Sequence, residues 1–348
     1  MQAVIKEIES VKIITLQDNY IDILTMDNND IIQRPLLVKD VPGRGMELSS
    51  SPIAEHGFSS FIEVTVEGVT KSMLFDFGYS SQGAACNADL LSIDLTTVKA
   101  LALSHGHLDH VGGMKELVKR MKNDGLELVV HPEAFKDKRY IKMPTGAKMF
   151  FPPFTRADVL EANLTIKEAA APLAMLGGSV LFLGGIPRVS SFEEGLKNAY
   201  YEQDGIEHAD IIEDDSALVF NIQGKGLVIL SGCAHSGIIN TVNYAKEVTG
   251  IEEIFVVMGG FHLTGADFST KIAPTIEALK GFNPKFVVPT HCTGRLAIMA
   301  IEENMPEQFL MNMSGTSLFF KGEPQKSPPV ATSSFVAGDA TIDKMAKA

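Results

Sequence analysis

The chain has 348 residues, of which 45% are hydrophobic and 21% charged, and this composition excludes a largely disordered protein. Its net charge is −13 and Lys and Arg form no dense run, which argues against a nucleic acid as partner.

The first eighty residues are typical of strands separated by turns. Short apolar runs predict strands over 11–16, 20–25, 60–66 and 72–75. Between them, residues 27–57 are rich in Asp, Asn, Pro, Gly and Ser. We expect a long loop there, of a kind that is usually functional or mobile.

From residue 84 onward, helical and strand patterns alternate. The predicted helices cover 84–91, 112–122, 238–249, 270–279 and 295–303, and the predicted strands cover 98–103, 126–130, 180–183, 217–222, 227–230, 254–258, 286–289 and 317–320. Residues 140–178 show no clear pattern. The strand-rich and alternating stretches each occur twice, which predicts two similar halves, each a sheet with helices on its outer face. We predict one domain over 1–322 and a loosely ordered tail over 323–348.

A cluster of candidate metal ligands follows the predicted strand 98–103. His105 and His107 are one residue apart, so an extended backbone points both side chains to the same side. Asp109 and His110 follow directly, and Gly106 allows a tight loop. Imidazole and carboxylate groups suit zinc-like ions, and three histidines within six positions of a chain with only nine predict a metal site.

Three further histidines also come just after predicted strands, where α/β proteins tend to place ligands. His235, with Cys233 close before it, and His291 are each followed by a predicted helix, and we interpret both histidines as ligands. His262 is left between a proton-transferring or substrate-facing role and a structural one. His131, His208, Asp214 and Asp215 are interpreted as structural.

The cysteine count and the apolar runs bear on the cellular location. Three cysteines are too few for a disulfide framework in a chain of this length. No apolar stretch reaches the roughly 18 residues of a membrane-spanning helix, and the N-terminus does not read as a secretory signal. We expect a cytoplasmic protein that does not bind membranes.

The residues after strand 98–103 resemble the signature H-x-H-x-D-H of the metallo-β-lactamase superfamily, filled by His105, His107, Asp109 and His110. The segments at 18–20, 54–59, 104–107, 184–188, 214–218, 231–237, 260–263 and 290–294 are similar to the branch of 7,8-dihydropterin-6-methyl-4-(β-D-ribofuranosyl)aminobenzene-5′-phosphate synthase-like metal-dependent hydrolases. The resemblance implies an α/β fold, a four-layer αββα sandwich of two mixed sheets with outer helices. It also implies that Asp76 braces the metal loop.

The chain departs from the superfamily pattern at the metal bridge. Many superfamily hydrolases carry a bridging Asp after Gly, where this chain has Gly232 followed by Cys233. Cys233 is therefore a candidate thiolate ligand, and the alternatives are an asymmetric site or a site that holds one ion firmly. Leu108 stands where the branch usually has an aromatic residue. The flavodiiron relatives usually have Glu in place of His107, which disfavours a redox di-iron protein.

The resemblance implies two divalent ions, Zn²⁺ first, with Mn²⁺ or Fe²⁺ as alternatives. One ion would be held by His105, His107 and His235, the other by Asp109, His110 and His291. Two ions about 3.5–4 Å apart would activate a water as hydroxide for attack on phosphorus or carbonyl carbon. Asp109 and His262 are the candidate catalytic residues, and His56, Arg188 and His262 the candidate substrate-binding residues.

The expected substrate is a small anionic organic molecule, such as a phosphoester, with a pterin-like group as one option. A synthase-type transfer that releases pyrophosphate remains an alternative, as does a non-catalytic metal-bearing sensor. Homo-oligomerisation is also left open.

Overall fold

The computed structural model describes residues 3–323, with the side chains of residues 266 and 267 excepted. In this part of the chain the strands are β1 (Glu7–Ile8), β2 (Ser10–Gln17), β3 (Ile32–Gln33), β4 (Val38–Val41), β5 (Gly45–Leu48), β6 (Ser59–Val66), β7 (Val69–Phe75), β8 (Val98–Ala102), β9 (Glu127–Val130), β10 (Tyr140–Lys142), β11 (Lys148–Phe150), β12 (Thr165–Glu168), β13 (Leu173–Met175), β14 (Val180–Phe182), β15 (Ala199–Gln203), β16 (Ile206–Ala209), β17 (Ala217–Ile222), β18 (Gly226–Ser231), β19 (Ile254–Gly260), β20 (Phe286–Thr290) and β21 (Ser317–Lys321). The α-helices of the same residues are α1 (Gly83–Leu90), α2 (Leu108–Val111), α3 (Met114–Met121), α4 (Arg156–Glu161), α5 (Ile238–Thr249), α6 (Ile272–Phe282) and α7 (Arg295–Asn304).

Two large mixed sheets form the centre of the described fold. The first has the strand order β12-β9-β8-β7-β6-β2-β21-β3, and the second has the order β13-β14-β17-β18-β19-β20 with β1 paired to β17. Strands β7, β8 and β9 are parallel to one another, and so are β18, β19 and β20, whereas β2, β6 and β7 are joined antiparallel.

Apolar side chains on both faces of the central strands build the layers. In β2, Val11 and Ile13 point into the core between the two sheets, while Ile14 and Leu16 point to the core under α1 and α3. Burying both faces of one strand requires a layer on each side, as the alternation of side chains along a strand dictates. Helices α5, α6 and α7 cover the second sheet in the same way. The predicted four-layer αββα sandwich is confirmed.

Two predictions from the first sixty residues were wrong. Residues 20–25 form a turn instead of a strand, because the Asp22 carboxylate accepts the N–H of Leu24 and the backbone bends there. The expected loop over 27–57 contains β3, which pairs with β21, and a hairpin of β4 and β5.

Residues 140–178, which carry no clear pattern, contribute two strands, β10 and β11, to a third sheet that β15 and β16 complete. It has the order β11-β10-β15-β16, and we call it the small sheet. Its register pairs Tyr140 with Phe150 and with Tyr200. None of the helices in residues 3–323 has the length and apolar composition needed to cross a membrane. The tail predicted over 323–348 lies, apart from Glu323, outside the described residues.

Candidate metal centre

The candidate ligands meet because the parallel strands of both sheets end at the same place. The loop after β8 carries His105 to His110, while His235 follows β18, His262 follows β19 and His291 follows β20. Side chains placed after neighbouring parallel strands share one edge of a sheet. The structure thus brings together, from two sheets, every residue predicted to bind metal.

Three buried imidazoles face one another in the first ligand group. Nε2 of His105 lies 3.1 Å from Nδ1 of His107 and 3.2 Å from Nε2 of His235. At most one proton can lie between the two ring nitrogens of each contact. In addition, Nδ1 of His235 is buried with no hydrogen-bond partner. Burial lowers the pKa of all three histidines, that of His107 to about 4, so the rings are neutral at pH 7. Neutral imidazoles with converging lone pairs are what a divalent ion requires.

The second ligand group consists of Asp109, His110, Cys233 and His291, whose ligand atoms lie within 4.8 Å of one another. Nε2 of His110 is 3.1 Å from Sγ of Cys233. Nε2 of His291 is 3.2 Å from Oδ2 of Asp109, yet it is buried and has no hydrogen-bond partner of acceptable geometry. Such an orphaned nitrogen also fits a ligand position.

Cys233 lies between the two groups. It belongs to the second group and also to a set with His235 and His262 whose ligand atoms again lie within 4.8 Å. Burial raises the pKa of the Cys233 thiol, so the free protein holds it protonated. The chain therefore has a sulfur at the position where a bridging carboxylate was expected. The thiol would become a ligand only by releasing its proton to solvent when an ion binds.

Asp76 supports the metal loop from below. This fully buried carboxylate accepts the backbone N–H and the hydroxyl of Ser104, both at 2.7 Å, and contacts Nδ1 of His110 at 2.6 Å. Burial alone would lower the pKa of His110, but the charges of Asp76 and Asp109 raise it to about 9. Asp76 thereby orients the ring with Nδ1 as donor and Nε2 toward the second ligand group.

Asn19 and Asp18 orient His291 in a comparable way. Oδ1 of Asn19 lies 3.1 Å from Nδ1 of His291, and the amide of Asn19 donates to the His291 carbonyl. Asp18 accepts the backbone N–H of His291 at 2.8 Å. The sequence motif at 18–20 had signalled the branch but not this contact.

Asp214 and Asp215 are buried braces of the metal loops. Asp214 accepts the N–H of Gly106 at 2.8 Å, and Asp215 accepts the N–H of His235 at 3.0 Å. Arg139 pairs with Asp214, which keeps the pKa of this carboxyl, about 2, below its ordinary value although burial would raise it. The sequence interpretation of both residues as structural did not identify the two ligand-bearing loops that they hold in place.

A cavity of about 340 Å³ opens onto both ligand groups. His56, Asp109 and His262 line it. The imidazole of His56 is 3.6 Å from Oδ2 of Asp109, and the ring centroid of His262 is 4.4 Å from that of His235. These predicted substrate-facing residues are thus placed at the cavity.

Arg188, the predicted substrate clamp, does not line that cavity. Its guanidinium donates to the carbonyl of Ile211; burial raises the pKa of Asp215 to about 6, and the charge of Arg188 opposes part of this rise. His131 and His208 lie outside both ligand groups.

The donor set therefore fits two divalent ions: three neutral imidazoles in one group, and a carboxylate, two imidazoles and a thiol in the other. Imidazole and thiolate ligands suit zinc best, whereas Mn²⁺ prefers oxygen.

Comparison with known proteins agrees with this geometry. Residues 54–246 match the sequence model of the "Metallo-beta-lactamase superfamily". A protein of Methanocaldococcus jannaschii named 7,8-dihydropterin-6-methyl-4-(beta-D-ribofuranosyl)-aminobenzene-5'-phosphate synthase is 32% identical over 272 residues, 74% of this chain and 87% of that protein. The uncharacterized protein MJ0448 of the same organism is 30% identical over 254 residues, 72% of this chain and 88% of that protein.

Among solved structures, Tm1679, described as a metal-dependent hydrolase of the beta-lactamase superfamily, has a TM-score of 0.65 at 24% identity and covers 89% of this chain and 99% of that one. That likeness shows the same fold. With the ligand loops, the fold and the matched residues in agreement, this chain belongs to the metallo-beta-lactamase superfamily.

Proposed function

We propose that the protein is a metal-dependent hydrolase of a phosphoester or a similar small anionic substrate, with two zinc ions as its cofactor. The proposal is carried by one observation. The two groups of ligand atoms lie side by side, since Cys233 of the second group also lies within 4.8 Å of the ligand atom of His235 in the first, and both groups open onto a single cavity. Paired ions facing one cavity are typical of enzymes that displace a group from phosphorus or carbonyl carbon.

His105, His107 and His235 would hold one ion, and Asp109, His110, Cys233 and His291 the other. When bound, the ions would supply Lewis-acid polarisation of the substrate and acidification of a water molecule.

The chain's own residues then position the reactants. Asp109 stays ionised: burial would raise its pKa, but the neighbouring His110 and His291 hold it below the ordinary value. Its carboxylate lines the cavity and orients the attacking water by accepting its hydrogen bond. Nδ1 of His262 is buried without a hydrogen-bond partner beside the cavity, and we assign this ring the transfer of a proton to the leaving group.

A second candidate is a transfer reaction. It is favoured by the M. jannaschii relative, which is named as a synthase. In that case an amine or carbon nucleophile would take the place of water. Ions held by the same two ligand groups would assist the departure of pyrophosphate.

The proposal also places the protein in a reducing, cytoplasmic compartment. In support, the three cysteines, Cys86, Cys233 and Cys292, are all free.

The test is turnover by the zinc-loaded full chain on a panel of phosphomonoesters, phosphodiesters, a lactone and a thioester in ¹⁸O-water. We expect zinc-dependent hydrolysis with ¹⁸O in the product, and a loss of kcat of about 10²–10⁴-fold in Asp109→Asn. Asp94→Asn, which changes an exposed carboxylate outside both ligand groups, serves as the matched control.

Two results would overturn the hydrolase proposal. If product forms from a pyrophosphate ester only when an aromatic amine is added, the transfer reaction replaces it. If no substrate is turned over and Asp109→Ala leaves ligand binding unchanged, a non-catalytic binding protein is the better description.

A further inference from the structure

The cavity over the metal groups has two chemically different walls. Histidines, Asp109 and two cysteines form the wall that belongs to the metal loops. The rest of the lining is mainly apolar, with Ile141, Phe151, Leu196 and Phe268, and it includes the neutral polar side chains of Asn198 and Thr264. None of the described residues that line the cavity is Lys or Arg.

This distribution of charge constrains what can enter. A negative group that reaches the ions would be neutralised there, whereas a second negative group beside Ile141 and Phe151 would meet no Lys or Arg among the described lining residues and would lose solvation. An uncharged group is therefore favoured for the part of a ligand that faces Ile141 and Phe151. Aliphatic and aromatic surfaces of the protein favour an apolar body at this position.

Phe151 is the best-positioned member of the apolar wall. Its ring stacks on that of His107, with centroids 4.8 Å apart and planes inclined by 30°. It directly follows β11, and its backbone N–H donates to the carbonyl of Arg139 at 2.9 Å. The guanidinium of Arg139 is itself buried between Asp210 and Asp214.

The small sheet is thus tied to the metal loop by buried ion pairs. Asp214 joins Arg139 at the base of the small sheet to the N–H of Gly106 between the two first ligands. Because both ends of this connection are buried, the Phe151 ring is held at a fixed place beside His107. A rigid aromatic face next to a metal group is suited to stacking against a flat ring.

We propose that Phe151, supported by Ile141 of the small sheet, forms a specificity subsite that binds an uncharged flat ring whose anionic substituent points to the metal groups. This inference rests on the proposed function for the direction in which the ligand lies. It adds to that function a residue that selects the substrate, Phe151, and the class of group that this residue selects, an uncharged flat ring.

The experiment measures binding and needs no turnover. Phenylphosphonate, methylphosphonate and 4-carboxyphenylphosphonate are titrated into the zinc-loaded full chain by calorimetry. We expect phenylphosphonate to bind at least about tenfold more tightly than methylphosphonate, since a stacked ring adds to the burial of apolar area. The carboxyphenyl compound should bind more weakly than the phenyl compound, because its second charge meets no cation.

Variants distinguish binding at this subsite from nonspecific hydrophobic binding to the protein. Phe151→Ala should bring the preference for phenyl over methyl close to onefold, and Phe151→Leu should keep part of it. Phe150→Ala is the matched control, because Phe150 is the preceding residue but packs on Tyr140, with ring centroids 4.9 Å apart, and does not line the cavity. Zinc content and melting temperature are recorded for each variant to show that the metal groups and the fold are retained.

The inference is overturned if the wild type binds phenylphosphonate no better than methylphosphonate, if it binds neither, or if Phe151→Leu and Phe151→Ala keep the full preference. Failure of the hydrolase proposal has a different signature. In that case no ester is turned over while the phenyl preference and its loss in Phe151→Ala remain.

Discussion

Replacing Asp76 by Asn tests how the metal loop is held. The buried carboxylate makes three contacts of 2.6–2.7 Å, two with Ser104 and one with Nδ1 of His110. An amide has nearly the same shape, but one of its two ends is a donor. The substitution therefore changes hydrogen bonding with little change in packing.

Neither orientation of the introduced amide restores the native contacts. With the NH₂ facing His110, the ring nitrogen Nδ1 must accept, so Nε2 carries the proton and cannot bind metal. With the NH₂ turned to Ser104, a donor faces the backbone N–H of that residue, and a buried unsatisfied group costs about 1–3 kcal/mol. Replacement of groups that orient ligands typically weakens metal binding about 10–100-fold, and we expect a loss of that size at the second ligand group.

The assay is competition for zinc with a chromophoric chelator, together with ¹⁵N NMR of the His110 ring to report its tautomer. Asp89→Asn is the control, because that carboxylate is 59% exposed and pairs with Arg120 on the surface. A folded Asp76→Asn protein that binds two zinc ions with wild-type affinity, and keeps Nε2 of His110 unprotonated, would refute the assignment of Asp76 as the group that orients His110.

Three further predictions concern the loop, a buried acid and the protons. Gly106→Ala should destabilise the protein by about 1–3 kcal/mol and weaken zinc binding, because its Cβ would lie 2.1 Å from the Ala134 carbonyl oxygen. Gly281→Ala is the control: its Cβ would meet nothing within 4 Å, and the change should stabilise α6 by about 0.5–1 kcal/mol. Thermal melts and zinc titrations measure both effects. Burial raises the pKa of Glu193 from 4.5 to about 7, so the folding stability attributable to this group falls as pH rises through that window. In denaturant titrations, the stability of Glu193→Gln relative to wild type should therefore increase by about 3 kcal/mol between pH 4.5 and 7.5. A difference that does not change with pH would contradict this. Zinc binding at pH 7.5 should release protons, because His110, whose pKa of about 9 keeps it charged in the free protein, and the protonated Cys233 thiol must each lose a proton to become ligands. Calorimetry in two buffers of different ionisation enthalpy measures this release, and equal heats in both buffers would contradict it for both groups.

The sequence predicted the metal loop well because its signal is local. His105, His107, Asp109 and His110 lie within six positions, directly after a strand whose apolar run is unmistakable. The fold was predictable for a related reason: strands such as β2 and β18 are apolar on both faces, which only a layer on each side can satisfy.

The supporting residues were harder to find because their partners are distant in sequence. Asn19 contacts His291, which is 272 positions away, and Asp214 accepts from Gly106 across 108 positions. An Asp or Asn in a loop resembles a turn former until the partner is known. The position of Arg188 was hard to predict for the same reason, since its guanidinium donates to the carbonyl of Ile211, 23 positions away.

The small sheet escaped prediction because its strands do not alternate between apolar and polar residues in the usual way. In β16 every residue is exposed, and β10 and β15 meet across about sixty residues of chain. Part of its cohesion comes from cation–π contacts, such as Lys142 over the ring of Tyr200 at 4.3 Å and Lys148 over that of Tyr140 at 4.5 Å. Such pairs leave no hydrophobic period in the sequence.

The arrangement of the two halves explains why the centre contains so many buried polar groups. One set of ligands comes from the first sheet through the loop after β8, and the other from the second sheet through His235 and His291. Each half alone would expose its own histidines at a strand end, and only the packing of the sheets brings their lone pairs within about 3 Å, as for Nε2 of His105 and Nε2 of His235. Neutral nitrogens at that distance repel when neither carries a proton. An ion bound between them would therefore hold the two sheets together, and metal affinity would be linked to the stability of the interface between the sheets.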